Sequence, residues 1–239
     1  MPKKRKPKKR KYNKLNYDPE KYDWVNSKEG GYPRRKKGTV KPVRLNTVLQ
    51  FNAAATRSTN EAAKRVLAKL YPFLQYLMLG RTVVKIAGAF KKSLAQSGRM
   101  DYSFLQGLDF QPDYTLQDIV NELLQIVEKD GVLFVDFPAG AGFVKKHSSL
   151  PTGYFVELIL LHGDPAREDG LRVDSVESRL FSFEEEGYVE CKLSILLPEK
   201  DPWMVLVKVS CLMGRGMANT GKYYALKVIR VGKGISNLD

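Results

Sequence analysis

The stretch Gly216 to Lys222, G-M-A-N-T-G-K, has the glycine and lysine positions of a phosphate-binding loop, in which backbone amides and a lysine cradle a nucleotide. That chemistry also needs Ser or Thr after the lysine to hold magnesium, and a helix opening toward the phosphates. Here Tyr223 follows and begins a β-patterned segment, so the stretch reads as a hairpin turn between the last two strands. The acids between Asp164 and Asp169, and Glu184, Glu185 and Glu186, lack the D-x-D-x-D-G spacing of a calcium loop and read as solvated turns. His147 beside Ser148 and Ser149 lacks the strand–turn–helix setting of an activated serine. Cys191 and Cys211 form neither a zinc spacing nor a C-x-x-C pair. They are expected to be reduced thiols filling apolar space, with a bridge between paired strands as the alternative. No catalytic residue, metal set or cofactor is expected, and the chain reads as non-enzymatic.

The chemistry that does stand out is phosphate binding by cations. The first 44 residues hold 17 Lys and Arg against four acids, a net of +13, while the whole chain is +14, so the remaining residues together carry +1. Within this arm, Lys3, Lys4, Arg5, Lys6, Lys8, Lys9, Arg10 and Lys11 form a run interrupted only by Pro7, and Arg34, Arg35, Lys36 and Lys37 form a second knot. The first run repels itself and cannot bury apolar surface, so it is expected to be disordered alone in water. Tyr12, Tyr17, Tyr22, Trp24 and Tyr32 lie among these charges. Such rings either stack on nucleobases while the cations hold phosphates, or pin the arm to the folded body. The P-K-K-R-K opening also fits a nuclear import signal, and the same charges suit acidic proteins or a membrane surface.

A folded body must present this arm. Ser58 and Glu61 have capping-box spacing and predict a helix start, followed by Val66, Leu67, Leu70, Leu74 and Leu77 at helical period, with Lys64, Arg65 and Lys69 turned to the other side. Pro72 is expected to kink this helix or start another, and Gly80 to end it. A second helix is expected over Thr82 to Gln96, with Arg81, Lys85, Lys91 and Lys92 at polar positions. A third begins at Thr115, capped by Asp118, runs through Val127 and stops at Gly131. Residues 45 to 110 carry nine basic and three acidic side chains, so this region extends the positive surface of the arm or simply forms a solvated helix face.

From Gly131 the period becomes two. Val132 to Phe137, Tyr154 to Leu161, Val176 to Phe183, Tyr188 to Leu197, Trp203 to Met213 and Tyr223 to Val231 read as strands. Val189, Cys191, Leu193, Ile195 and Leu197 fall on one face, with Glu190, Lys192 and Ser194 on the other, the alternation of an antiparallel strand with one wet side. The expected class is α+β: a disordered basic arm over 1 to 44, a short helical region over 45 to 130, and an antiparallel, immunoglobulin-like β-sandwich over 131 to 239. The last 129 residues carry 14 basic and 19 acidic side chains, so charge falls from strongly positive to mildly negative along the chain.

T-x-x-x-N-E at Thr56 to Glu61, then Arg65, Phe73, Leu74 and Gly88, Ala89, Phe90, Lys91, together with a polar turn at Asn219 and Thr220 before Tyr223, resemble a Bacteroidota family of unknown function. The resemblance covers about residues 40 to 232. It implies a helical segment followed by an immunoglobulin-like module, and it transfers no catalytic residue and no role for the arm.

These features point to sequence-tolerant binding of DNA or RNA by Lys3, Lys4, Arg5, Lys6, Lys8, Lys9, Arg10, Lys11, Arg34, Arg35, Lys36 and Lys37, prolonged by Lys64, Arg65 and Lys69, in the manner of a packaging protein. The alternatives are a virion or particle component and a ribosome-associated protein, in which the β module meets a protein partner or a second copy. Without an apolar stretch long enough to span a bilayer or a secretory signal, the expected setting is intracellular, including the nucleoid or a nucleus, or inside a virion.

Overall fold

The computed structural model describes residues 18–26, 31–36, 47–77, 79–121, 124–140, 142–145, 151–183, 187, 189–214, 216–218 and 220–233. The chain divides into two compact units, Met1–Phe51 and Asn52–Asp239.

In the first unit, strands β1 (Tyr22–Val25) and β2 (Tyr32–Arg35) pair antiparallel, with Tyr22 opposite Arg35 and Trp24 opposite Pro33. This hairpin lies inside the segment read from sequence as arm. Asp18 closes the turn that leads into it: its carboxylate accepts the Glu20 amide at 3.0 Å and pairs with Lys21, and those partners hold its carboxyl below the ordinary range. Gly31 is there for space, since a Cβ on it would stand 2.2 Å from the Trp24 indole.

Helix α1 spans Thr47–Leu70, its first five residues belonging to the first unit. It therefore starts eleven residues before the expected capping box. Ser58 is interior to the helix, and its hydroxyl donates back to the Ala55 carbonyl at 3.0 Å, as Thr59 does at 2.9 Å. Serine and threonine satisfy themselves this way inside helices, which is why their spacing with Glu61 mimicked a cap. The helix ends at Leu70, and Pro72 sits in the 3-10 turn Tyr71–Phe73 that follows. Helix α2, Thr82–Ser97, closes on Gly98 in the left-handed conformation.

The third expected helix is mostly absent. Its cap is present, with Asp118 accepting from both the amide and the hydroxyl of Thr115, but α3 is a single turn, Leu116–Ile119. Val120 is already extended, and Gln125–Lys129 is a strand, β3. It joins β4 (Val132–Ala139) through Asp130 and Gly131, both at positive φ, with Lys129 opposite Val132. Asp-Gly in a two-residue loop is a primed hairpin turn, and Gly131, read as a helix stop, is its second residue.

The remaining strands are β5 (Gly153–His162), β6 (Arg172–Glu177), β7 (Phe181–Ser182), β8 (Val189–Leu196), β9 (Trp203–Met213), β10 (Gly216–Met217) and β11 (Tyr224–Gly232). The single strand expected over Val176 to Phe183 is thus two short ones. Among the described residues the strand pairings are antiparallel, in keeping with an α+β chain whose β region is antiparallel. One sheet runs β10-β9-β5-β6, with β11 also on β9 and β7 also on β5; the other runs β3-β4-β8.

The larger sheet is covered on both faces. Val156, Leu158, Leu160, Val205, Val207 and Val209 pack against Leu133, Val135, Phe137, Leu193 and Ile195 of the smaller sheet. Ile159, Leu161, Met204, Leu206, Leu226 and Val228 point the other way, into Ala62, Val66 and Leu70 of α1 and Ile86 and Phe90 of α2. Both faces being dry, β5 and β9 read as near-continuous apolar runs. Strand β8 alternates as expected from Cys191 onward, with Leu193 and Ile195 buried and Lys192 and Ser194 exposed, whereas Val189, expected on the buried face, is exposed at the strand's start. A buried Lys–Glu pair lies within the sheet: Lys208 and Glu157, cross-strand neighbours, meet at 3.7 Å. Burial raises the Glu157 carboxyl and lowers the Lys208 ammonium, and the Phe73 ring lies 6.0 Å from the ammonium.

Candidate nucleic-acid interface

Between Thr47 and Met100 the chain has nine Lys and Arg and one acid, Glu61. Amphipathic packing decides where they go: α1 turns Ala62, Ala63, Val66 and Leu70 inward and α2 turns Ile86, Ala89, Phe90 and Ser93 inward, so the charged positions face out. Arg57, Lys64 and Lys69 on α1, Arg81 at the N-cap of α2, Lys85, Lys91 and Lys92 on α2, and Arg99 just beyond it are exposed, and Arg65 is half-buried. The two helices adjoin through polar groups, since Lys91 Nζ donates to Thr56 Oγ1 at 3.3 Å. Asn52, Thr56, Arg57, Asn60, Glu61 and Lys64 line a shallow trough along α1.

The cations expected on α1 separate in the fold. Lys64 joins Arg57 in the trough, and Lys69 is exposed in the last turn. Arg65 is held by the body: its guanidinium donates to the carbonyls of Ala166 at 3.0 Å and Pro165 at 3.4 Å, with Glu61 at 4.0 Å. It anchors α1 to the loop after β5. The signal that distinguishes Arg65 is its pairing with a loop 100 residues away, which no local spacing reports. Arg81, Lys85, Lys91 and Lys92, expected at polar positions, are exposed, and Arg57 and Arg99, which no sequence pattern singled out, are exposed as well.

In the first unit, Arg34 and Arg35 are exposed on β2 beside exposed Tyr32, and Lys36 is half-buried, its amide bonded to the Lys21 carbonyl. Lys3, Lys4, Arg5, Lys6, Lys8, Lys9, Arg10, Lys11 and Lys37 lie outside the described residues, as do His147, Ser148, Ser149 and Glu184 to Glu186.

Other chemistry finds little support in the geometry. Gly216 and Met217 fold back on β9, and the 3-10 turn Gly221–Tyr223 leads into β11, so no helix opens where a nucleotide loop would need one. The Asp164 carboxylate accepts the Ala166 amide at 2.8 Å and faces Arg167 at 3.6 Å, as a loop acid does. His162 lies 3.2 Å from Asp174 and 3.8 Å from Asp201, and among the described residues no three His, Cys, Asp or Glu are grouped to hold a metal. Cys191 and Cys211 are free; burial pushes the Cys211 thiol up to about 12, far from a reactive thiolate. A cleft of about 310 Å³ has an apolar floor of Leu116, Val120, Leu124 and Ile229. Its lysines are engaged, Lys145 with the Gln117 carbonyl at 2.5 Å and Lys227 with Asp109 at 3.5 Å. Among the described residues no helix is long and apolar enough to cross a membrane.

Compared with known proteins, the chain matches no family model, no curated protein and no solved structure.

Proposed function

We propose that this is a non-enzymatic nucleic-acid-binding or packaging protein that holds phosphates through its cationic first 44 residues, with the helical layer as a second positive surface. The observation that supports this reading is the segregation of charge: exposed cations crowd α1 and α2 with one carboxylate among them, while residues 111 to 239 carry a net of −5. Cations with a single carboxylate, Glu61, among them retain most of their attraction for phosphate and release counterions when they meet it. No helix-turn-helix, zinc-finger or RNA-recognition signature is present in the sequence, so binding should tolerate sequence.

The β region is proposed to be an immunoglobulin-like module. Two antiparallel sheets packed face to face, β3-β4-β8 and β6-β5-β9-β11, support this, with the chain crossing between them from β4 to β5, from β7 to β8 and from β8 to β9. The likeness to the Bacteroidota family is consistent with the same arrangement. On this reading the module provides rigidity or a surface for a protein partner or second copy, which is also what a particle component or a ribosome-associated protein would need.

The test is filter binding of DNA and RNA across salt, with the full chain and with a chain in which the Lys3 to Lys11 cations are replaced by Gln. If about eight arm cations contact duplex DNA, the log–log slope lies near −7, and neutralising them flattens it and removes most binding. Unchanged affinity and slope after neutralisation would overturn the arm's role.

A further inference from the structure

We infer that α2 is a close-approach surface for a phosphodiester backbone, with Gly88 as the point of nearest contact. The inference rests on the nucleic-acid reading and deepens it by naming a surface outside the arm. Arg81, Lys85, Gly88 and Lys92 are spaced by four, three and four residues, so they share one helix face, opposite the buried face of Ile86, Ala89 and Phe90. Lys85 and Lys92 stand about 10 Å apart along the axis. Lys91 lies beside them, steadied on Thr56 of α1 at 3.3 Å.

Two features of this face oppose helix stability. Gly88 lies at the end of the second turn of a 16-residue helix, is exposed, and a Cβ on it would meet nothing within 4 Å. Neither packing nor a special backbone angle calls for glycine there, although glycine weakens a helix interior relative to alanine. Arg81 and Lys85 stand at the N-terminal end of α2, with no acid in its first turn, where the helix dipole disfavours cations. A phosphate backbone lying on this face would explain both. It would neutralise the cations, and the missing side chain would let it approach the helix surface, the use glycine has where a ligand comes near a backbone.

Three sets of substitutions in the full chain test this, each read by salt-dependent binding to duplex DNA, single-stranded DNA and duplex RNA. Replacing Lys85, Lys91 and Lys92 by Gln should flatten the duplex-DNA slope by about 2.7, at about 0.9 per lost contact, whereas Lys129, Lys192 and Lys200 replaced by Gln should leave it unchanged. Gly88→Leu should weaken binding about tenfold, with the salt slope reduced only slightly, since it blocks approach without removing charge. Gly88→Ala should raise the melting temperature, showing that helix stability alone does not favour glycine there. Whichever of the three nucleic acids shows the largest loss with Gly88→Leu is the one seated on α2. If the full chain binds these nucleic acids and both the triple variant and Gly88→Leu leave binding unchanged, this surface is refuted and the arm reading survives. If the full chain binds none of them, or binds only vesicles of anionic lipid, both are refuted.

Discussion

The larger sheet has two coverings that both bury apolar residues and expose different chemistry. Helices α1 and α2 seal one face and carry eight exposed cations outward, counting Arg99 at the end of α2, against the single carboxylate of Glu61. The three-stranded sheet seals the other face, and its outer surface mixes a Lys192–Asp136 pair at 3.4 Å with exposed Val127 and Leu196. The inward faces answer to stability, and each fully buried Leu, Ile, Val or Phe there contributes about 1.5–3 kcal/mol. The outward faces are free to differ, and that difference carries the functional reading.

The largest effects should come from breaking each covering in turn. Phe90→Ala on the helical side and Phe137→Ala on the β side, both nearly inaccessible in the fold, should each cost about 3–5 kcal/mol in urea unfolding. Because both coverings share β5 and β9, each variant should still unfold in one transition with an unchanged denaturant slope. A separate early transition in either variant would show that the two coverings are independently stable.

A somewhat smaller effect is expected inside the shared sheet. Lys208→Met leaves the Glu157 carboxylate buried without its cation and should cost about 3 kcal/mol, while Glu157→Leu combined with Lys208→Met should be near neutral. Burial raises the Glu157 carboxyl above its ordinary 4.5, so the folded protein holds that proton more tightly than the unfolded chain. Its stabilising contribution is complete below 4.5 and is lost as pH rises through the raised value. Glu157→Gln should remove that fall from the stability–pH curve and leave the acid-side loss from Asp101, whose carboxyl is lowered by its bonds to Ser103 and Ser93 despite burial, below 3.8. A curve unchanged above 4.5 would place the titration elsewhere.

The smallest effect belongs to the β exterior. Lys192→Ala removes an exposed lysine from a half-buried Asp136 carboxylate and should cost about 1 kcal/mol, without altering the salt slope of nucleic-acid binding. A slope change there would erase the contrast between the two surfaces.

Much of this architecture was legible locally. Trp203 to Met213 is a strand over the very residues its pattern marks, and the buried stripe of α2 follows its 3.6-residue period. The misreadings have local causes too. Ser58 and Glu61 copied a cap inside a helix, and Leu116, Ile119, Val120 and Val127 fit helical spacing although the chain becomes extended after one turn. In the latter case Asp130-Gly131 was the hairpin signal that outweighed the period. Tyr22 to Val25 and Tyr32 to Arg35, set among charges and a proline, offered too few apolar residues to announce a hairpin.

For the proposed interface, the sequence by itself determined how many cations there are, that they concentrate in the first hundred residues, and that acids are scarce among them. Composition and order are enough for that, because net charge needs no geometry. Only the tertiary structure decided which cations remain available. Arg65 is taken by the Pro165 and Ala166 carbonyls, whereas Lys64, one residue earlier, faces solvent beside Arg57. A helix turns successive residues by about 100°, so neighbours in sequence reach different surroundings, and the loop that captures one of them comes from a distant strand connection.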